Sequence, residues 1–163
     1  MKITTGTLAN VSALLGFLAA CFGAAGLGML FTGSVRSEWF EHLAKPSWNP
    51  PSWVFGPVWT TLYTAMAVAA FLVWRRRGEA NVTLPMVLFF VQLALNAAWS
   101  PVFFGMHNLP LSVCVIVPLC GLIAITMVAF FHVSTVAGIL FVPYLAWVTF
   151  ATILNSAICR LNS

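Results

Sequence analysis

The chain has 163 residues, of which 61 % are hydrophobic and 6 % charged, with a formal net charge of +4 and a mean hydropathy of +1.00. A water-soluble domain carries charge on about a quarter of its residues, so a soluble enzyme or scaffold is excluded and lipid is the consistent solvent. From Ala80 to Cys159 there is no Asp, Glu, Lys or Arg.

Each helical crossing of a bilayer uses about 20 apolar residues at about 1.5 Å per residue, so the chain accommodates about five. Open strands would leave backbone groups unsatisfied in hydrocarbon, and the apolar runs lack the alternation of a barrel. The expected fold class is therefore all-α: an antiparallel bundle of five transmembrane helices, forming one domain over 1–163.

The first expected span, 8–31, is rich in small residues: Gly16, Ala20, Gly23, Ala24, Gly26 and Gly28 allow another helix to approach closely. Lys2 followed by an apolar run ending at Cys21 has the outline of a lipoprotein signal, but the uncharged run continues to Thr32 and is read as a span. The loop 32–52 follows and carries Arg36, Glu38, Glu41 and Lys45. Its first half, 37–43, spaces Trp39, Phe40 and Leu43 for a short interfacial helix, and its second is broken by Pro46, Pro50 and Pro51.

The second span, 53–74, stops at Arg75-Arg76-Arg77-Gly78, and the third covers 84–104. A link at His107-Asn108-Leu109-Pro110 leads to the fourth, 111–131, and His132-Val133-Ser134 to the fifth, 135–159. Such short links make consecutive helices antiparallel neighbours. Five spans put the termini on opposite sides, with Lys2 and Arg75 to Arg77 facing Arg36, Lys45 and Arg160. Four positives against three are too even to orient the chain. The positives sit at span ends, a placement that reports topology and headgroup contact more often than nucleic-acid binding, and they form no basic face for nucleic acid.

Polar and large amphipathic side chains at membrane depth are the informative ones. In the third span Gln92, Asn96, Trp99 and Phe103 share one helical face. Phe55, Trp59 and Tyr63 do so in the second span, and Tyr144, Trp147, Ala151 and Asn155 in the fifth. Two readings fit this pattern. The amides are either hydrogen bonds between helices, with the tryptophans as interfacial anchors, or the lining of a pocket for a flat, apolar ligand with a few polar edges.

Enzymatic machinery is thin. His42, His107 and His132 are isolated, no metal-ligand pair is spaced i, i+4, and no Ser-His-acid set can be assembled at membrane depth, so no metal is expected. Cys21, Cys114, Cys120 and Cys159 show no C-x-x-C spacing and read as buried small hydrophobes. Without intramembrane charges, proton or ion relays lose their usual carriers.

Four segments stand in a known order and spacing: Lys45-Pro46-Ser47-Trp48-Asn49-Pro50-Pro51-Ser52-Trp53; Pro57-Val58-Trp59-Thr60-Thr61-Leu62-Tyr63; Gln92 to Gly105 with Asn96, Trp99, Ser100 and Pro101; and Pro143-Tyr144-Leu145-Ala146-Trp147 with Ala151 to Asn155. From about Trp39 to Arg160 the chain closely resembles the translocator protein family, TspO/MBR, the tryptophan-rich sensory proteins and peripheral-type benzodiazepine receptors. The resemblance implies a five-helix bundle, usually a homodimer, that binds porphyrins such as protoporphyrin IX, haem precursors, sterols and benzodiazepine-site ligands beneath the 32–52 loop.

Carried over residue by residue, it implies Trp99 and Trp147 as aromatic walls, with Phe55, Gly56, Val58, Ala151 and Leu154 as further lining. Together with the polar faces, the expected ligand-binding set adds Trp59, Tyr63, Gln92, Asn96, Tyr144 and Asn155. No cofactor is required; a porphyrin would be the ligand. Three functions follow as expectations: a porphyrin receptor, a light-dependent porphyrin-degrading catalyst using Trp59 and Trp147, and a sterol or lipid transporter. Ser156 replaces the tyrosine of the vertebrate sterol motif before Arg160, which weighs against cholesterol specificity, and Leu111 replaces a pocket tryptophan of animal members, as in bacterial ones. The expected location is a multi-pass site in a bacterial cell membrane, with an outer membrane as the alternative. Ala94 and Ala98, or the first-span glycines, would form the homodimer interface.

Overall fold

A chain whose backbone must satisfy its own hydrogen bonds in lipid folds its apolar runs into helices, and the computed structural model, which describes residues 5–32 and 38–163, contains six. These are α1 (Thr5–Thr32), α2 (Glu38–His42), α3 (Phe55–Arg75), α4 (Thr83–Ser100), α5 (Leu109–Val133) and α6 (Thr135–Leu161). A 3-10 turn, Ser52–Val54, leads into α3, and a π turn, Pro101–Gly105, extends α4. Among the described residues five helical segments are long and apolar enough to cross a membrane: Gly6–Thr32, Ser52–Arg75, Thr83–Gly105, Leu109–Val133 and Thr135–Leu161. The chain is an all-α, multi-pass membrane protein. Lys2 and Arg36, used above to weigh orientation, lie outside the described residues, as does the start of the expected interfacial helix at Ser37; α2 forms its remainder.

Local chemistry sets the helix ends. Pro101 has no N–H for the next α-helical bond, and the chain continues with a wider turn in which Met106 N–H donates to Pro101 O at 2.8 Å. His107 then adopts φ 52°, reversing the chain. The Asn108 side chain accepts from Leu111 N at 2.9 Å, so α5 begins two residues before the expected 111. Between α5 and α6 the link shrinks to Ser134, whose hydroxyl accepts from Ala137 N. That hairpin closes because residue 138 is glycine: a Cβ there would overlap the Phe131 ring.

The five spans form a closed ring in which α1 packs on α3, α3 on α6, α6 on α5, α5 on α4 and α4 on α1. Lipid offers no hydrophobic drive between helices, so close packing and small residues carry the association. Accordingly Met66, Ala67, Ala69, Ala70 and Val73 of α3 are fully buried. Phe89, Phe130 and Phe141 fill the half of the bundle near Arg75, with Phe130 and Phe141 centroids 4.8 Å apart. The other half is closed by Phe103, Leu109, Leu154 and Ile158, with Trp39, Phe40 and Leu43 of the loop packed on them. The loop is also tied to the end of α6: Ala44 N–H donates to Asn162 Oδ1 and Asn162 Nδ2 donates to Ala44 O, both at 3.0 Å.

Candidate ligand-binding site

The bundle brings the polar faces of α3, α4 and α6 to one depth, and there they hydrogen-bond to each other. Tyr63 O–H donates to Asn96 Oδ1 at 2.6 Å, Asn96 Nδ2 donates to Tyr144 OH at 2.9 Å, and Tyr144 O–H donates to Gln92 Oε1 at 2.9 Å. Exposure of these four side chains is 0–6 %. Closer to the loop end the Asn155 amide lies 2.9 Å from Ser112 Oγ, joining α6 to α5, while that hydroxyl donates to Leu109 O at 2.7 Å. Gln92, Asn96 and Asn155 thus form hydrogen bonds between helices. Such bonds contribute about 0.6 kcal/mol each on average in lipid.

Two donors in α4 remain over. Gln92 Nε2 and Trp99 Nε1 are buried and have no acceptor among the described residues. A buried unsatisfied amide or indole N–H costs about 1–3 kcal/mol, a deficit that an acceptor atom or a water molecule would relieve.

The aromatic residues fall into separate groups. Trp99 stacks on Phe103, with centroids 5.0 Å apart and planes at 27°, and Phe103 meets Trp39 and Phe40 of the loop edge-on at 5.9 and 6.2 Å. Trp59 lies 5.4 Å from Tyr63 and 6.5 Å from Tyr144, next to the hydrogen-bonded seam. Trp147 faces a different surface, where its indole meets Phe55 at 5.8 Å and Phe150 at 5.6 Å, and Phe150 meets Trp48 of the loop at 5.8 Å.

That surface contains a cavity of about 570 Å³ between α3 and α6, lined by Pro57, Val58, Thr61, Leu62, Pro143, Ala146, Trp147 and Phe150. Small-molecule sites span about 300–1,000 Å³ and are mostly apolar, and this one has no charged wall. The Thr61 hydroxyl is already used, donating to Pro57 O at 2.9 Å. The cavity can therefore hold an apolar ligand by stacking and dispersion.

Of the thirteen expected lining residues, Val58 and Trp147 line this cavity and Phe55 backs its indole wall. Gly56 is exposed at the α3 start, where a Cβ would meet nothing within 4 Å. Ala151 packs against the core, and Leu154 is buried with Phe103, Leu109 and Ile158. Pro57, Thr61, Leu62, Pro143, Ala146 and Phe150 were missed. Phe150 follows Trp147 by three residues and shares its helical face, a signal that was available; the facing of Pro57 and Pro143 depends on the pairing of α3 with α6. Among the described residues no group of His, Cys, Asp or Glu could hold a metal, and the four cysteines are free thiols.

Comparison with known proteins agrees with this architecture. A profile of the TspO/MBR family matches residues 17–161. The chain is 45 % identical over 148 residues to the tryptophan-rich sensory protein of Cereibacter sphaeroides, covering 91 % of this chain and 90 % of that protein. It is 42 % identical over 138 residues to the human translocator protein, covering 83 % and 82 %. With the tryptophan-rich protein TspO of Chlorobaculum tepidum it shares 46 % identity over 153 residues, covering 89 % and 95 %. The family match begins within α1 and runs through the other four membrane helices, and the chain belongs to the TspO/MBR family.

Proposed function

We propose that this protein is a membrane receptor for porphyrins, such as protoporphyrin IX, and related flat hydrophobic ligands, held in the groove between α3 and α6. The observation that carries the reading is the groove itself: about 570 Å³, apolar, walled by Trp147 and Phe150 and backed by Phe55 and Trp48 of the loop. A planar macrocycle gains most from aromatic faces, each ring pair adding about 0.5–1.5 kcal/mol beyond area burial. An entrance from the lipid side suits a guest that partitions into membranes, and the loop end of the groove leaves carboxylate edges near water. Membership of a family with tryptophan-rich sensory and translocator proteins supports the same reading.

Titration of the purified protein with protoporphyrin IX, followed by tryptophan fluorescence, tests it. Quenching should saturate, and Trp147→Ala should weaken binding about three- to tenfold. Unchanged affinity in Trp147→Ala combined with Phe150→Ala would remove the groove as the site.

A second reading, light-dependent breakdown of the bound porphyrin with dioxygen as oxidant, is favoured by one observation. Trp59 lies 5.4 Å from Tyr63, whose hydroxyl is hydrogen-bonded to Asn96, so an oxidised indole would have a phenol beside it. Illumination should yield a product absent from protein-free detergent controls, and its loss in Trp59→Phe would assign the residue. The protein is further proposed to act as a homodimer in a bacterial cell membrane, with Ala94 and Ala98 of α4, both exposed, as the close-approach surface. Cross-linking in native membranes should trap the dimer, and Ala98→Phe should reduce it.

A further inference from the structure

The end of α3 carries three consecutive guanidinium groups, and among the described residues only one has an acidic partner. Arg76 Nη1 lies 2.6 Å from Glu79 Oε2 in an exposed i, i+3 pair. Arg75 and Arg77 are turned onto aromatic rings instead: the Arg75 guanidinium lies 5.7 Å from the Phe71 centroid and that of Arg77 3.5 Å from Trp74. Arg77 Nη1 also donates to Trp74 O at 3.3 Å, at the last turn of the helix. Phe71 and Trp74 stack on each other, with centroids 6.3 Å apart and planes at 22°.

The three acids of the chain are Glu38, Glu41 and Glu79. Glu38 and Glu41 belong to α2, at the opposite end of the bundle. Among the described residues the Arg75–Glu79 corner therefore holds three positive charges and one negative. The two uncompensated guanidiniums sit where a membrane-crossing helix ends, each positioned by a ring.

This is a built cationic corner at headgroup depth, and we infer that it binds the headgroup of an anionic phospholipid of the phosphatidylglycerol type. Arg75 and Arg77 supply the forked N–H donors that match phosphate oxygens. Stacking on Phe71 and Trp74 limits the freedom each long side chain loses on binding, and stacked indole and phenyl rings are suited to the interfacial layer where a headgroup resides. A zwitterionic headgroup brings its own ammonium and cannot neutralise the surplus. A soluble phosphate compound would find the charge but no use for the adjoining apolar face of α3, which an acyl chain covers.

Native mass spectrometry of the detergent-purified protein, titrated with phosphatidylglycerol or with phosphatidylcholine of the same acyl chains, tests the assignment. The unmodified protein should retain phosphatidylglycerol preferentially. Each guanidinium removed should cost about fivefold in its affinity, so R75Q/R77Q should lose about thirtyfold. R76Q/E79Q, which removes the internal pair and leaves net charge unchanged, should keep the preference. R75K/R77K keeps the charge and should retain most of it, which guards against a folding defect in the glutamine variant. An unchanged preference in R75Q/R77Q overturns the inference, as does inorganic phosphate displacing the lipid at equal concentration, since the corner would then be a phosphate site without lipid character.

Discussion

Replacing Asn96 by leucine tests whether the seam through the bundle centre holds the helices together. Leucine keeps the branching of asparagine at Cγ but is larger by roughly two methylene groups, so overpacking adds to the loss from the bonds. Two interhelical bonds disappear, those to Tyr63 at 2.6 Å and to Tyr144 at 2.9 Å. At about 0.6 kcal/mol each this is about 1.2 kcal/mol, with an upper limit of about 3.4 kcal/mol if both reach the strongest values measured in lipid. The Tyr144 hydroxyl keeps its bond to Gln92, whereas the Tyr63 hydroxyl, on a side chain 6 % exposed, loses its only acceptor in the seam and adds part of the cost of an unmade bond. The lost bonds account for about 1–3 kcal/mol of the expected destabilisation, read from reversible unfolding in mixed micelles. Tyr63→Phe removes one of the same bonds, so the double variant should lose less than the sum of the singles by roughly half to one kcal/mol. Strict additivity, or an Asn96→Leu protein as stable as the parent, would show that the seam contributes nothing to cohesion.

Other substitutions test separate parts of the structure. Gly138→Ala places a methyl group into the Phe131 ring and should destabilise the α5–α6 hairpin by about 1–3 kcal/mol; the cost should largely vanish when Phe131→Ala is added, and a neutral single variant would contradict the close approach. Asn162→Ala removes both amide bonds to Ala44, so hydrogen exchange of the Ala44 amide should accelerate by roughly tenfold, with exchange at the deep Phe130 amide unchanged as the control. Ser112→Ala should cost about 1 kcal/mol by stranding the Asn155 amide; equal stability would mean that Asn155 finds another partner.

The spans were legible because a bilayer tolerates so few charges: the uncharged runs and the Arg75 to Arg77 stop mark them without any knowledge of packing. Their ends shifted where a local device intervened. Asn108 caps α5 and draws it back to Leu109, and Pro101 converts the end of the third span into a π turn. The Gln92, Asn96 and Trp99 face was legible from its spacing, but which helix each residue meets depends on the ring order, which no single-helix periodicity contains. Gln92 and Asn96 meet Tyr144 and Tyr63, while Trp99, two turns from Gln92, joins Phe103 at the loop end. The groove was half legible for the same reason: Pro57, Val58, Pro143 and Trp147 all stand in the sequence motifs, yet that they line one groove depends on α3 packing on α6.

A crystal structure of the protein with protoporphyrin IX bound tests the proposed function most directly. The macrocycle should lie between α3 and α6, in contact with Trp147 and Phe150 and flanked by Pro57 and Pro143. Density for it among Trp99, Phe103 and Trp39, with the α3–α6 groove filled by lipid, would contradict the proposal.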